Sequence, residues 1–259
     1  MRLKGKSALV TGGSSGIGLA TAAVFIREGA AVAITGRERE RLDSALAALG
    51  ASATGYVADA DDEAAMAEVA GDIARRLGGI DVVFANAGHY RTTALGSTTR
   101  ADFDAVFAGI AGSSYFTVQA ALPHLRDGAS IILNGSVYAT MGPPTATAYG
   151  ASKAAVGAMA RHMASELSPR GIRVNVVVPG AVDTPSWPMA RLDPEAAAEM
   201  RRSLGERAPL DRMLTAEEVA NAVLFLASDE ASGVQATELV VDGGTTGAMA
   251  GSPRFMRGE

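Results

Sequence analysis

The sequence contains no cysteine and only three histidines among its 259 residues. Disulfide bonds, thiolate metal ligands, iron–sulfur clusters and a cysteine nucleophile are therefore excluded. Three dispersed histidines do not make a metal site, so we expect no bound metal. A chain without cysteine fits a reducing compartment, and we expect a cytoplasmic protein.

An excess of positive charge is also missing, since 23 Lys and Arg residues against 28 Asp and Glu residues give a formal net charge of -5. The longest basic cluster, Arg37 to Arg41, alternates with Glu38 and Glu40. Such a surface offers no electrostatic footprint for nucleic acid, and we expect no nucleic-acid partner.

Long apolar runs are missing too. The basic residues near the amino terminus are followed only by Ser7 to Val10 before two glycines intervene, which is too short for a signal peptide. No uninterrupted apolar stretch approaches the ~20 residues needed to cross a bilayer. We therefore expect no membrane association.

Short apolar runs alternate with helix-periodic segments along most of the chain, which is typical of a parallel sheet covered by helices on both faces. The predicted strands are Lys6–Thr11, Ala31–Thr35, Ala53–Ala58, Ile80–Ala85, Ser130–Asn134, Arg173–Val178 and Glu238–Val241. The predicted helices are Ile17–Glu28, Glu38–Leu49, Glu63–Leu77, Arg100–Leu125, Tyr149–Leu167 and Ala216–Leu226. These elements predict an α/β, doubly wound, seven-stranded, mainly parallel sheet in a single domain, residues 1–259.

The segment Ala181 to Arg212 breaks this rhythm with four prolines and the only tryptophan, Trp187. Long excursions inside compact domains are commonly binding loops or lids, so we interpret residues 181–212 as a substrate lid containing a short helix near Glu195 to Leu204. The alternative is a surface insertion without function. Residues Gly251 to Glu259 are expected to be poorly ordered unless a partner holds them.

A glycine-rich segment, Thr11-Gly12-Gly13-Ser14-Ser15-Gly16-Ile17-Gly18, follows the first strand and opens directly into a helix. Glycines there let the backbone approach a pyrophosphate, and the helix amino terminus offers free N–H groups. The segment predicts a dinucleotide site. The alternative is a structural glycine-rich turn.

With its spacing T-G-x-x-x-G-x-G, the chain resembles the short-chain dehydrogenase/reductase family over nearly its entire length. The other matching segments are Asp59, Asn86-Ala87-Gly88, Tyr149-x-x-x-Lys153, Pro179-Gly180 with Thr184, and Asp242-Gly243-Gly244. The resemblance implies a Rossmann-type oxidoreductase in which Asp59 borders the adenine, Asn86 supports the sheet near the cofactor and Thr184 reaches the nicotinamide amide. The full set of cofactor-binding residues predicted is Gly12, Ser14, Ser15, Gly16, Ile17, Gly18, Arg37, Asp59, Ala60, Asn86, Ala87, Gly88, Tyr149, Lys153, Pro179, Gly180, Val182 and Thr184.

Charge at the end of the second strand favours NADP(H) over NAD(H). An acidic side chain there would bind the ribose 2′-hydroxyl and repel a 2′-phosphate. This chain has Gly36 at that position, followed by Arg37, whose guanidinium suits phosphate. Against this, Ser15 stands where many phosphate-binding relatives carry a second basic residue, and Arg37 as a solvated surface charge is the alternative.

A catalytic group is predicted at Ser136, Tyr149 and Lys153. Tyr149 and Lys153 are four residues apart on one helix and share a face, and an ammonium there is expected to lower the phenol's pKa. The family resemblance implies that Tyr149 is the general acid or base, that Lys153 also holds the nicotinamide ribose, and that Ser136 steadies the reacting oxygen. The predicted reaction is hydride transfer between NADP(H) and a small carbonyl or secondary alcohol.

One position departs from the family pattern, because Ile110 stands where relatives commonly carry an Asn that helps to anchor a water leading from the lysine. We hypothesise that the Ile110 carbonyl or the side chains of Ser113 and Ser114 substitute for it. An NADP(H)-binding protein with weak or no catalysis is therefore the alternative function. An epimerase or dehydratase is disfavoured because no long carboxy-terminal substrate domain is expected.

The substrate wall is predicted at His89, Tyr138 and Trp187, with Tyr90 and Met189 nearby, although ordinary packing explains each of them equally well. By analogy with relatives we expect a homo-oligomer, a tetramer or a dimer, that pairs helices and the last strand edge.

Overall fold

The computed structural model describes residues 1–258. The strands are β1 (Ser7–Val10), β2 (Ala31–Gly36), β3 (Ala53–Val57), β4 (Ile80–Ala85), β5 (Leu125–Asn134), β6 (Arg173–Pro179) and β7 (Glu238–Val241). The helices are α1 (Gly16–Arg27), α2 (Arg39–Leu49), α3 (Glu63–Leu77), α4 (Arg100–Phe107), α5 (Ser113–Ala121), α6 (Thr147–Leu167), α7 (Pro194–Gly205), α8 (Ala216–Ala227) and α9 (Pro253–Met256).

The seven strands form one sheet in the order β3-β2-β1-β4-β5-β6-β7, and every pairing is parallel. One face is covered by α3, α5 and α6, whose apolar side chains pack on residues such as Leu9 and Ile131. The other face is covered by α1, α2 and α8, which pack on residues such as Val10 and Ile34. The predicted doubly wound α/β fold is confirmed.

The predicted helix Arg100–Leu125 is one helical run, Arg100–His124, that is not a regular α-helix throughout. After α4 the chain makes a π-helical turn over Ala108–Gly112, continues as α5, and ends in a 3₁₀ turn over Leu122–His124. Pro123 lies in that turn and has no N–H to continue an α-helix. Leu125 then begins β5, five residues before the predicted start of the strand.

The expectation that no segment is long and apolar enough to cross a membrane is also wrong. The helical run Arg100–His124 has 25 residues and a mean hydropathy of 1.3, which suffice by length and composition alone. The run was missed because polar residues interrupt it. In the fold, 44% of its most apolar window is buried and α5 packs against α3 and β4, so the run belongs to the packed core.

The carboxy-terminal segment, which the sequence predicts to be poorly ordered, contains helical turns that contact the end of α7. A 3₁₀ turn over Met249–Gly251 leads into α9, whose first turn is capped by the Ser252 hydroxyl. The Arg254 N–H donates to the Glu206 carbonyl at 3.1 Å. These contacts hold the segment against the end of α7 without a second chain. Glu259 lies outside the described residues.

Candidate active site

A cleft of about 1190 Å³ opens at the carboxyl ends of the strands. It spans the point between β1 and β4 where the strand order reverses, which is where doubly wound sheets bind their ligands. Its lining includes the predicted residues Gly12, Ser14, Ser15, Gly16, Ile17, Arg37, Asp59, Ala60, Asn86, Ala87, Gly88, His89, Ser136, Tyr138, Tyr149, Lys153, Pro179, Gly180, Val182, Thr184 and Trp187. The structure therefore gathers the sequence-predicted site into one cavity.

Gly18 is the predicted residue that does not line the cleft. A Cβ atom on Gly18 would lie 2.3 Å from the Gly12 carbonyl oxygen and 2.6 Å from the Asn86 amide nitrogen. Gly18 therefore lets α1 pack directly beneath the glycine-rich loop. With α1 beginning at Gly16, this close packing leaves a cradle of backbone N–H groups that fits a dinucleotide pyrophosphate.

Three strand ends are joined by hydrogen bonds beside this loop. The Thr11 hydroxyl accepts from the Asn86 and Ala87 N–H groups, each at 3.1 Å, and the Asn86 amide donates to the Thr11 carbonyl at 3.0 Å. The Asn134 amide donates to the Asn86 side-chain oxygen at 3.0 Å. These hydrogen bonds connect the glycine-rich loop to the end of β5, which is followed by the predicted catalytic residue Ser136.

Asn134 also contacts the predicted catalytic lysine, a role that the sequence analysis missed. Lys153 Nζ donates to the Asn134 carbonyl at 2.6 Å. Lys153 is only 5% exposed, and burial lowers its pKa from 10.5 to about 8. Its ammonium is thus poised to lose a proton slightly above neutral pH.

Tyr149 lies one helical turn before Lys153, and the Lys153 nitrogen is 5.9 Å from the centre of its ring. Burial raises the pKa of Tyr149 to about 12, while a hydrogen bond with the Ser136 side chain acts in the opposite direction. The net change is an increase because burial dominates, and the expectation that Lys153 lowers the phenol's pKa stays a prediction. The lysine is buried as well and directs its charge to the Asn134 carbonyl.

We call the part of the cleft lined by Arg37, Arg41 and Asp59 the adenine end. It contains side chains of both charges, as expected around a phosphate. Arg37 lies 3.8 Å from Asp59 in a loose, exposed ion pair. A Cβ atom on Gly36 would lie 2.9 Å from the Ser14 hydroxyl, so β2 ends with Ser14 occupying the space where relatives carry an acidic side chain. Arg41 also lines the cleft, and the sequence analysis did not propose it.

The π-helical turn carries Ile110 at the position that departs from the family. Its side chain is 1% exposed in the core. Its carbonyl accepts hydrogen bonds from the Ser114 hydroxyl at 2.7 Å and the Ser113 hydroxyl at 3.2 Å. Ser113 lines the cleft and Ser114 does not, so the two serines that the hypothesis treated alike are in different positions.

Tyr90, Tyr138 and Tyr149 form an aromatic cluster at the end of the cleft away from the adenine end. The Tyr149 ring centre is 5.0 Å from that of Tyr90 and 5.8 Å from that of Tyr138, and both contacts are edge-to-face. Tyr90 therefore forms part of the wall beside the candidate catalytic phenol. Burial and the charges of Arg37 and Arg91 lower the pKa of His89, which also lines the cleft.

The segment 181–212 closes the same end of the cleft. The Trp187 indole N–H donates to the Val182 carbonyl at 2.8 Å, and Met189 is buried in a small apolar cluster with residues of α7. The wall residues that the sequence did not single out are Leu192, Ala196, Glu199, Met200, Ser203, Leu204 and Arg207. Within residues 1–258, no group of three or more His, Asp or Glu side chains could hold a metal ion.

Comparisons with known proteins agree with this geometry. A family model described as enoyl-(acyl carrier protein) reductase matches residues 12–246. The oxidoreductase asL5 of Sarocladium schorii is 41% identical over 246 residues, which cover 94% of this chain and 96% of the relative. The 3-oxoacyl-(acyl-carrier-protein) reductase FabG of Thermotoga maritima is 40% identical over 250 residues, which cover 94% and 99%.

A solved structure is similar over the same span. The crystal structure of a short-chain dehydrogenase from Burkholderia cenocepacia in complex with NADP has a TM-score of 0.86 and 38% identity, covering 95% of this chain and 99% of that one. The chain belongs to the short-chain dehydrogenase/reductase family of oxidoreductases, which use nicotinamide dinucleotides and act on small substrates.

Proposed function

We propose that the protein interconverts a small carbonyl compound and its secondary alcohol with NADP(H). The observation that carries this proposal is that Tyr149, Ser136 and the buried Lys153 line the same cleft as the glycine-rich loop, with the Lys153 nitrogen 5.9 Å from the centre of the Tyr149 ring. A proton donor and a dinucleotide cradle in one cavity are what carbonyl reduction needs.

The residues divide the work as follows. When bound, NADP(H) supplies or accepts the hydride. Tyr149 holds its proton at the phenol oxygen and gives it to the substrate oxygen, and Ser136 donates a second hydrogen bond to that oxygen. Lys153 stabilises the phenolate that remains, because its ammonium is one helical turn away and is held in place by the Asn134 carbonyl.

The preference for NADP(H) is supported by the adenine end. Gly36 leaves no carboxylate to repel a 2′-phosphate, and Arg37, Arg41 and the Ser14 hydroxyl border the place where such a group would lie. Asp59 offsets part of the Arg37 charge at 3.8 Å, and the contact is loose enough for the guanidinium to turn to a phosphate.

The alternative, a binding protein with weak or no catalysis, rests on Ile110. In the structure the Ile110 carbonyl and the Ser113 hydroxyl are hydrogen-bonded beside the cleft. A hydroxyl both donates and accepts, so Ser113 supplies the proton-carrying group that Ile110 lacks. This arrangement favours the active enzyme.

A homo-oligomer forms the second part of the proposal. Phe103 and Tyr115 on the α4–α5 run and Val240 on the edge strand β7 are each at least 40% exposed. Apolar side chains exposed on these elements are where a second copy would pack. Light scattering coupled to size-exclusion chromatography gives the subunit number directly.

Two measurements test the proposed function. Cofactor fluorescence titrations with NADPH and NADH establish binding, and a panel of ketones, aldehydes and secondary alcohols, followed by absorbance of the reduced cofactor, establishes turnover. We expect tighter binding of NADPH and turnover of at least one small ketone. Binding without turnover across the panel would support the binding protein instead.

A further inference from the structure

Arg207 differs from the other cationic side chains that line the cleft. Each of the others has a partner: Arg37 with Asp59, Arg41 with Glu38, and Lys153 with the Asn134 carbonyl. Within residues 1–258, no carboxylate lies within the 4.0 Å of an ion pair from the Arg207 guanidinium. Arg207 is therefore an exposed guanidinium on the cleft that forms no ion pair within residues 1–258.

The backbone around Arg207 is fixed on both sides. The carbonyl of Glu206 accepts from the Arg254 N–H at 3.1 Å, and the Ala208 N–H donates to the Gly205 carbonyl at 2.9 Å. Ala208 is itself buried. A charged side chain on a held turn loses less conformational entropy when it binds a ligand than one on a mobile loop.

Arg207 lies at the substrate end. Arg207, Tyr138 and Tyr149 all line the cleft, and burial raises the pKa of Tyr138 while the Arg207 charge acts in the opposite direction. The Tyr138 ring is 5.8 Å from the Tyr149 ring. The guanidinium and the candidate catalytic phenol therefore share one cavity.

The negative charges lining the cleft do not cancel this one. Glu199 on α7 is the acidic residue of the lid that lines the cleft, and it is ion-paired with Arg202. Asp59, Asp61 and Glu38 belong to the adenine end, where Arg37 meets Asp59 and Arg41 meets Glu38. An anionic ligand group would thus meet a net attraction beside the tyrosine cluster.

We propose that the substrate carries a carboxylate and that Arg207 binds it, so that the carbonyl lies at Tyr149 while the carboxylate lies at the lid. This inference rests on the proposed function. A guanidinium presents two parallel N–H donors that match the two oxygens of a carboxylate.

The kinetic test compares keto acids with their methyl esters, using NADPH with levulinate, 5-oxohexanoate and 6-oxoheptanoate. We expect the acid of at least one chain length to exceed its ester in kcat/KM by about 10- to 100-fold, the range for a charge-assisted bidentate contact. Arg207→Gln should remove that preference, mainly through a higher KM for the acid, and should lower kcat/KM for the acid more than for the ester. Arg207→Lys should restore part of it.

Arg191→Gln is the matched control, since it removes the same charge from the same segment and does not line the cleft. Calorimetric titration of the three keto acids into the NADP⁺-loaded protein gives a readout without turnover. Ester turnover that survives in Arg207→Gln shows that the proposed function holds. Acids that bind no more tightly than esters, or a preference that persists in Arg207→Gln, would overturn the inference.

Discussion

Lys153 Nζ donates a 2.6 Å hydrogen bond to the main-chain carbonyl of Asn134. The side-chain amide of the same asparagine reaches Asn86, which holds the glycine-rich loop. The position of the ammonium is therefore set by the ends of β4 and β5 and not by Tyr149. We therefore predict that Lys153 acts on the phenol at a distance, through charge, and that its protonation state controls the rate of the proposed reaction.

The pH dependence of reduction should follow Lys153. Burial lowers the pKa of Lys153 to about 8, so the ammonium loses its proton as the pH rises through that value, whereas Tyr149, with a pKa of about 12, keeps its proton. We expect kcat/KM for ketone reduction to be level below about pH 7 and to fall above about pH 8, by up to about tenfold per pH unit. Steady-state rates with saturating NADPH check this.

A level profile through pH 9 would contradict the role of the lysine charge. The affinity for NADPH, measured in the same buffers, serves as the control that cofactor binding is not the source of the change.

Cofactor preference should depend on the arginines of the adenine end. Arg37→Gln removes a guanidinium suited to a 2′-phosphate, and we expect the KM for NADPH to rise by about 10- to 100-fold with little change for NADH. Arg41→Gln should act in the same direction, more weakly, because Glu38 already holds Arg41 at 3.0 Å.

Arg39→Gln is the matched control for cofactor preference. Arg39 pairs with Asp43 on α2 and does not line the cleft. If NADPH and NADH lose affinity equally in Arg37→Gln, the arginine does not recognise the phosphate.

The two serines next to Ile110 should differ in their effect on turnover. Ser113→Ala removes the hydroxyl that faces the cleft, and we expect kcat for reduction to fall about tenfold with KM unchanged, as for the loss of one proton-transfer partner. Ser114→Ala removes a hydroxyl bound to the same carbonyl from behind and should leave kcat close to wild type. Equal effects of the two substitutions would argue against a relay through Ser113.

The substitution Ile110→Asn, which introduces the residue that relatives commonly carry, is a weaker test of the proton relay. Ile110 is 1% exposed, so an asparagine there would bury an amide and lower the free energy of unfolding by about 1–3 kcal/mol. The pH profile of kcat for this variant is informative only when its free energy of unfolding is measured as well.

Gly18→Ala should weaken cofactor binding although Gly18 does not itself line the cleft. The new Cβ atom would lie 2.3 Å from the Gly12 carbonyl oxygen, so the loop or α1 must move. We expect at least about tenfold weaker NADPH binding and a loss of about 1–3 kcal/mol in the free energy of unfolding, as for an overpacked site. Gly233→Ala, which meets no atom within 4 Å, is the control.

The sequence predicted the fold well because continuous apolar runs such as Ile80–Ala85 mark strands that are buried on both faces. It predicted the glycine loop and the Ser136, Tyr149 and Lys153 set because their spacing along the chain is a local property. It failed at Leu125, because Pro123 ends the helix before this residue. It also failed to predict the raised pKa of Tyr149, because the burial of the phenol and the hydrogen bond that directs the Lys153 ammonium to Asn134 arise only in the fold.

The sequence predicted a short helix in the segment 181–212, where α7 lies, but not which of its residues line the cleft. Residues such as Met200 and Arg207 reach the cleft only because the segment folds back over the strand ends on its own small apolar cluster. No periodicity in the sequence specifies that path.

The central claim, that the Tyr149 phenol exchanges its proton with the substrate oxygen, is tested most directly by Tyr149→Phe. The phenylalanine ring keeps the edge-to-face contacts with Tyr90 and Tyr138 and removes only the hydroxyl. We expect kcat for a substrate of the wild-type enzyme to fall by about 10²- to 10⁴-fold with NADPH affinity retained. Turnover that stays within a few-fold of wild type would contradict the account.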